Sequence, residues 1–369
     1  MIFVSGFTGK KWPVILWCLA SLFLLTYSLF TQWMLPRERF FWLNLQAIEN
    51  GRYAWVLSLI LMAWPAWRNL KPGAWLFFLP LLSSVMLSIP LIQSGKLHST
   101  YFQKSNVEVS FNFKRWILGQ STNKIPQEFK STNDHQLTSL IYLPNEKSKP
   151  APLLIMLHGG GFYQGSPNWM HHWASSMSES GIAVVSVAYP LSPKSQFPSQ
   201  LQEIKSTITK LKVHLAPQQV DTNSIFISGS SAGGTLALST TIAYPELNIQ
   251  GIIALYPITD FTKAFESISD IQAIKIQYQG SSNDSIISPR FQLTDKMTPV
   301  LLLHGEKDNI IPVEQSRKFH QYMVSKKLIC EFIELPWATH NFEYPIYGPS
   351  GQFLENVTFH FIDRILKKQ

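Results

Sequence analysis

The sequence predicts two regions: an all-α membrane region of about three helices over residues 1–95, and an α/β domain with a mostly parallel sheet flanked by helices over 131–369. The stretch 96–130 reads as linker and start of the second region. Three observations carry this. Long uncharged apolar runs are confined to the N-terminal third. From about residue 100, short apolar runs alternate with amphipathic segments, which implies strands covered on both faces. Glycine-rich turns directly follow two of those runs.

Of 369 residues only 15% are charged, where soluble domains average about 25%. The deficit sits in residues 1–95, which hold seven basic and two acidic side chains for a net of +5, leaving +3 of the formal +8 to the remainder. The basic charge therefore flanks apolar runs and does not form a nucleic-acid surface. Aromatic residues at 13% exclude disorder. Two cysteines, Cys18 and Cys330, are too few for a disulfide framework or a cysteine-rich metal site.

Between Lys11 and Arg37 lie 25 uncharged residues, enough to cross a bilayer as a helix. Pro72–Gly95 gives 24 more, broken only by Pro80 and Pro90, which membrane helices tolerate. Tyr53–Trp67, at 15 residues, spans if Arg52 and Arg68 snorkel to the interfaces. The expected spans are about 13–35, 52–68 and 73–93, with Trp12, Trp33, Trp42, Trp55, Trp67 and Trp75 near their ends. A buried apolar hairpin is the alternative. No small-x-small site closes the first run, so a cleaved signal peptide is rejected. Trp17 before Cys18 argues against a lipoprotein site. Lys10 and Lys11 before the first span favour an N-terminus in the cytoplasm, hence a multi-pass integral membrane protein with its large domain outside the cytoplasm. The basic residues themselves divide four against four.

In the second region the strand candidates are Leu153–Leu157, Ile182–Ala188, Ser224–Ser228, Ile252–Tyr256, Val300–His304 and Cys330–Leu335. Ser199–Leu215, Gly234–Tyr244, Val313–Lys326 and Gly351–Lys368 carry helical spacing. The irregular stretch Thr262–Thr298 interrupts the alternation as a cap or lid would.

Gly229-Ser230-Ser231-Ala232-Gly233-Gly234 follows a strand and opens a helix. Only one register fits GxSxG, with Ser231 at the centre of a sharp turn that leaves no room for side chains at 229 and 233. His158-Gly159-Gly160-Gly161-Phe162 follows another strand, 73 residues earlier. Its glycines free backbone N–H groups to face a developing oxyanion together with that of Ala232. A phosphate loop would be the other reading of the glycines, but neither GK[ST] nor GxGxxG accompanies them.

Serine needs a base, and the base an orienting carboxylate. His340 lies in a loop after the last strand candidate and Asp308 after the one before it, at strand ends where α/β sheets place their ligands. Asp260 and Glu306 are rival acids. His158 is assigned to shaping the glycine loop with Gly159, His304 to a strand end, and His171 and His172 to a helix or loop.

These motifs resemble the α/β-hydrolase superfamily. HGGGF with GxSAGG, and Tyr189-Pro190-Leu191-Ser192-Pro193 followed by Phe197-Pro198, are similar to its hormone-sensitive-lipase-like, carboxylesterase and feruloyl-esterase-like branch, over about residues 130–369. The resemblance implies an α/β-hydrolase fold and a carboxylic ester hydrolase with Ser231 as nucleophile, His340 as base, Asp308 as its partner, and Gly160, Gly161 and Ala232 as oxyanion donors. Ser230 departs from the acidic residue usual before the nucleophile in the lipase-like group. Phe162, Tyr163, Phe342 and Tyr344 are the expected pocket residues, by adjacency. The expected partners are a small-molecule or lipid ester and the bilayer, with no metal, organic cofactor or nucleic acid. Amide or peptide cleavage by the same triad, and a silent hydrolase fold used for binding, are the rival functions.

Overall fold

A computed structural model describes residues 12–29, 41–67, 74–103, 109–130, 137–145, 150–262, 269–280 and 283–368. The chain divides into two compact units, Met1–Gly119 and Gln120–Gln369.

The first unit is helical: α1 (Trp12–Leu29), α2 (Phe41–Asn50), α3 (Arg52–Trp67), α4 (Ala74–Phe102) and α5 (Phe113–Leu118). α4 packs against α1 and α3. Indole donors fasten the helices together, Trp17 Nε1 of α1 to the Leu61 carbonyl of α3 at 2.8 Å and Trp55 Nε1 of α3 to Ser88 Oγ of α4 at 3.0 Å. Trp116 Nε1 likewise donates to the Glu49 carbonyl. α4 includes Pro80 and Pro90 and continues past the expected end at 93, through Lys96 and His98, because the helix does not end where its apolar run does. The segment 96–130, expected as linker and start of the second region, holds the end of α4, all of α5 and the first strand.

Among the described residues one helix, Phe77–Phe102, is long and apolar enough to cross a membrane, while Pro13–Leu29 and Arg52–Trp64 are shorter apolar helices. Among the described residues three crossings, and with them a multi-pass topology, are not supported, because the described parts of the other two apolar helices fall short of the roughly 20 residues a crossing needs. Residues 30–35, 68 and 73 of the expected spans, Trp33, and the basic residues Lys10, Lys11, Arg37, Arg39, Arg68 and Lys71 lie outside the described residues, as do the side chains of Trp12, Trp42, Trp67 and Trp75.

Among the described residues the second unit holds eight strands: β1 (Gln127–Lys130), β2 (Thr138–Tyr142), β3 (Ala151–Leu157), β4 (Ala183–Val187), β5 (Val220–Ser230), β6 (Ile249–Leu255), β7 (Val300–Gly305) and β8 (Cys330–Leu335). They form one sheet in the order β1-β2-β4-β3-β5-β6-β7-β8. β1 and β2 are antiparallel additions, and from β4 to β8 every pairing is parallel. The helices are α6 (His171–Glu179), α7 (Ser199–Leu215), α8 (Ala232–Ala243), α9 (Ser269–Gln279), α10 (Asp284–Ile287), α11 (Glu314–Ser325) and α12 (Pro349–Leu366).

The central strands read as unbroken apolar runs because both their faces are covered: Leu153–Leu157, Ile225–Ile227 and Val300–Leu303 are fully buried. α7 buries Leu201, Ile204, Ile208, Leu211 and Leu215, a stripe at helical spacing. Each buried leucine or isoleucine contributes about 1.5–3 kcal/mol relative to exposure. The parallel strands end on one edge, and the loops leaving that edge carry the candidate site.

Candidate active site

β5 ends at Ser230 and α8 begins at Ala232, so Ser231 alone makes the turn. It does so at φ 53° and ψ −121°, a conformation costly for a residue with a Cβ. Crowding enforces it. A Cβ on Gly229 would lie 2.2 Å from the Gly233 carbonyl oxygen, and one on Gly233 would lie 2.1 Å from that of Leu157. The Ser231 N–H donates to the Leu255 carbonyl at 2.9 Å, and the Ser231 carbonyl accepts from the Thr235 N–H at 3.1 Å, which locks the turn from both sides.

The loop after β3 stands against this turn, since a Cβ on Gly159 would meet Ser230 O at 3.1 Å and Ser231 Cβ at 3.3 Å. Gly160 has φ +116°, and its carbonyl accepts from the N–H groups of Tyr163 and Gln164. That tight turn is closed to a side chain, because a Cβ on Gly160 would lie 2.1 Å from Gln164 O. His158 is buried below it, its Nδ1 donating to Gly159 O at 2.7 Å and its ring stacked on Tyr189 at 4.3 Å. The Tyr189 hydroxyl donates to His158 O at 2.7 Å. Burial lowers the His158 pKa to about 4 against the opposing bond to Gly159, so this ring is neutral near pH 7.

His340 and Asp308 meet across 32 residues of chain, with His340 Nδ1 at 2.7 Å from Asp308 Oδ2. Both side chains are buried. Asp308 Oδ1 accepts from the N–H groups of Ile310 at 2.9 Å and Ile311 at 2.8 Å. Burial works against the Asp308 charge, but the His340 charge and hydrogen bonds from His304 and His340 outweigh it and hold the carboxyl well below the usual carboxylate range. His304 stands behind, Nε2 at 2.9 Å from the Ile311 carbonyl and 3.4 Å from Asp308 Oδ2, Nδ1 at 2.8 Å from Ser316 Oγ. Of the rival acids, Asp260 pairs with Arg290 at 2.9 Å, and Glu306 is exposed. His171 bonds Asn123 and Tyr142 at the start of α6.

Of the expected pocket residues, Phe162 and Phe342 are fully buried. Phe162 stacks on Tyr278 of α9 at 4.1 Å and belongs to the hydrophobic core. Tyr163 is 48% exposed and Tyr344 partly exposed, and Trp169, 38% exposed, lies 6.3 Å from both the Tyr344 and His158 rings. Sequence spacing gave no sign of Trp169. Gly161 is covered from the stretch expected to form a cap: its Cβ would meet Ile274 Cγ1 of α9 at 3.6 Å. Among the described residues no group of three or more His, Cys, Asp or Glu side chains is placed to hold a metal ion.

Among solved structures, an esterase from Rhizomucor miehei superposes with a TM-score of 0.60 at 21% identity, covering 74% of this chain and 97% of that one. Thermogutta terrifontis esterase 2, in a form phosphonylated by sarin, gives 0.56 at 19% identity over 66% and 96%. The sheet order and these superpositions agree. Residues 120–369 carry the α/β-hydrolase fold. Within that α/β-hydrolase unit, residues 140–323 match the family model described as BD-FAE. Curated relatives include the "Probable carboxylic ester hydrolase LipM" of Mycobacterium tuberculosis, 25% identical over 52% of this chain and 50% of the relative. "Esterase LipC" of the same organism is 26% identical over 53% and 54%. An esterase of Acinetobacter venetianus is 29% identical over 61% and 79%. The chain spans about half the length of the two mycobacterial relatives.

Proposed function

We propose that the α/β-hydrolase unit is a serine hydrolase that cleaves carboxylic esters through an acyl-enzyme, and that the helical unit tethers it to a membrane. The observation that carries the first part is the strained Ser231 turn between β5 and α8, built against a glycine loop whose conformation only glycine holds easily. Ser231 Oγ attacks the ester carbonyl carbon while His340 Nε2 takes its proton. The carbonyl oxygen becomes an oxyanion, which the N–H groups of Gly160, Gly161 and Ala232 stabilise. On collapse the bond to the alcohol breaks, and His340 returns the proton to that leaving oxygen. Water then repeats the two steps on the acyl-Ser231 ester and releases the acid. Asp308 holds His340 with its Nδ1 proton inward, leaving Nε2 free to accept. Esters are favoured over amides because the named relatives are esterases and carboxylic ester hydrolases.

Membrane attachment rests on α4 and its neighbours. Only 33% of the apolar window in Phe77–Phe102 is buried, unlike a core helix, and Leu16, Leu19, Phe23, Ile60, Phe78 and Ile92 are exposed. Hydrolysis of nitrophenyl esters of increasing acyl length by wild type and Ser231→Ala in detergent tests the enzymatic reading. A Ser231-dependent rate is expected, and equal rates in the two proteins refute it.

A further inference from the structure

Glu343 lies three residues after His340 and is 2% exposed. Its Oε2 accepts the hydroxyl proton of Tyr256, a residue 87 positions away in the chain. Tyr256 follows β6 at φ +37°, a left-handed conformation unfavourable for a bulky aromatic residue, and its N–H donates to the Leu303 carbonyl at 2.8 Å. Its ring is fully buried, 4.3 Å from the His340 ring and edge-on to Phe342 at 5.2 Å. The Ser231 N–H donates to the carbonyl of Leu255, the residue before Tyr256, at 2.9 Å.

A carboxyl buried this deeply needs partners, and a strained aromatic residue needs something to hold it. Each answers the other here. The phenol fixes the loop that carries His340, while the ring forms a wall against the imidazole. Asp308 sets only the Nδ1 end of His340, and a ring held at one atom can still swing about that bond. Tyr256 supplies the second constraint, and Glu343 sets where Tyr256 stands.

We propose that Tyr256 and Glu343 form a buried clamp of positioning residues that holds the His340 imidazole and the Ser231 turn in register. The proposal rests on the reading of Ser231 as nucleophile. Neither residue touches the substrate. Their effect passes through His340, so it falls on the rate of the chemical step and leaves substrate affinity alone. Burial, the first cause, pushes the Glu343 carboxyl above its usual pKa despite the opposing hydrogen bonds. That agrees with a role as hydrogen-bond acceptor, which the side-chain oxygen of glutamine can also fill.

The experiment measures the rate of active-site phosphonylation by a fluorophosphonate, with kcat and KM on a nitrophenyl ester, in the detergent-solubilised full chain. Tyr256→Phe and Glu343→Leu each break the clamp, and each should slow labelling and kcat by about 10- to 100-fold with KM within about threefold. Their double variant should be no slower than the worse single variant, because both remove one interaction. Glu343→Gln restores the acceptor and should recover at least about tenfold of the rate lost in Glu343→Leu. Wild-type rates in Tyr256→Phe overturn the clamp. So do additive losses in the double variant, or a Glu343→Gln as slow as Glu343→Leu. Should Glu343→Leu not fold, Tyr256→Phe alone decides by the same rates. If wild type is not labelled, or Ser231→Ala is labelled equally, the nucleophile assignment fails instead, and the two failures are told apart.

Discussion

Replacing Asp308 by asparagine changes one atom and should abolish most of the activity. Oδ1 accepts two backbone N–H groups, from Ile310 and Ile311, so the amide oxygen of the variant must stay there. The NH2 group is then forced into the place of Oδ2, 2.7 Å from His340 Nδ1. It donates where the carboxylate accepted. The imidazole must turn its proton to Nε2, the atom that receives the proton of Ser231 in the proposed reaction. The charge is lost as well. A carboxylate about 4 Å from the imidazolium charge that forms during attack contributes about 4 kcal/mol at an effective dielectric near 20. That corresponds to about 10³-fold, at 1.36 kcal/mol per tenfold, and the wrong tautomer adds to it. The same exchange in the serine-protease template costs about 10⁴-fold. The expected loss in kcat/KM is therefore about 10³- to 10⁴-fold on a nitrophenyl butyrate assay at pH 7.5. A loss below about tenfold, in a variant that melts as the wild type does, would refute the reasoning.

Gly233→Ala places a methyl group 2.1 Å from the Leu157 carbonyl oxygen and 2.5 Å from that of His158, so β3 and α8 must part. It should lower stability by about 1–3 kcal/mol, a fall of several degrees in Tm, and cut esterase activity at least about 10²-fold. Acidification should destabilise the protein through His158. The unfolded chain takes up this proton near 6.5, the folded one only near 4, so stability is complete above pH 6.5 and declines as the pH falls towards 4. The loss is on the order of 2 kcal/mol between pH 6.5 and 5, read from urea unfolding, and a His158→Asn variant should lose that part of the slope. For the helical unit, the full chain should stay in the membrane fraction through an alkaline carbonate wash and require detergent for release; recovery in the wash would exclude integral anchoring.

Much of the second unit is written in local pattern. β3, β5 and β7 are buried on both faces, so they stand out as apolar runs, and the glycine turns after β3 and β5 announce themselves because no other residue fits there. β1 does not stand out. Gln127–Lys130 is an edge strand with three exposed residues and pairs only with β2, so nothing in its composition marks it. α4 was legible as an apolar run but not in length, since Lys96 and His98 end the run and not the helix. An apolar run does not measure the helix it forms, so the sequence predicts three crossings where, among the described residues, one helix has the reach. Order along the chain suffices to list Ser231, Asp308 and His340 together. It says nothing of Tyr256 and Glu343, whose partnership spans 87 residues and depends on how the loops after β6 and β8 fold back. Nor does it show that Phe162, beside the glycine loop, packs in the core against Tyr278 of α9.

The central claim is that Ser231 carries the acyl group. The most direct test is to treat the full chain with an excess of diethyl nitrophenyl phosphate, count the nitrophenolate released in the burst, and locate the adduct by peptide mass spectrometry. About one equivalent per chain is expected, with the diethylphosphoryl group on the peptide containing Ser231, and no burst from Ser231→Ala. An adduct on another residue accompanied by loss of esterase activity, or ester turnover that persists in Ser231→Ala, would contradict it.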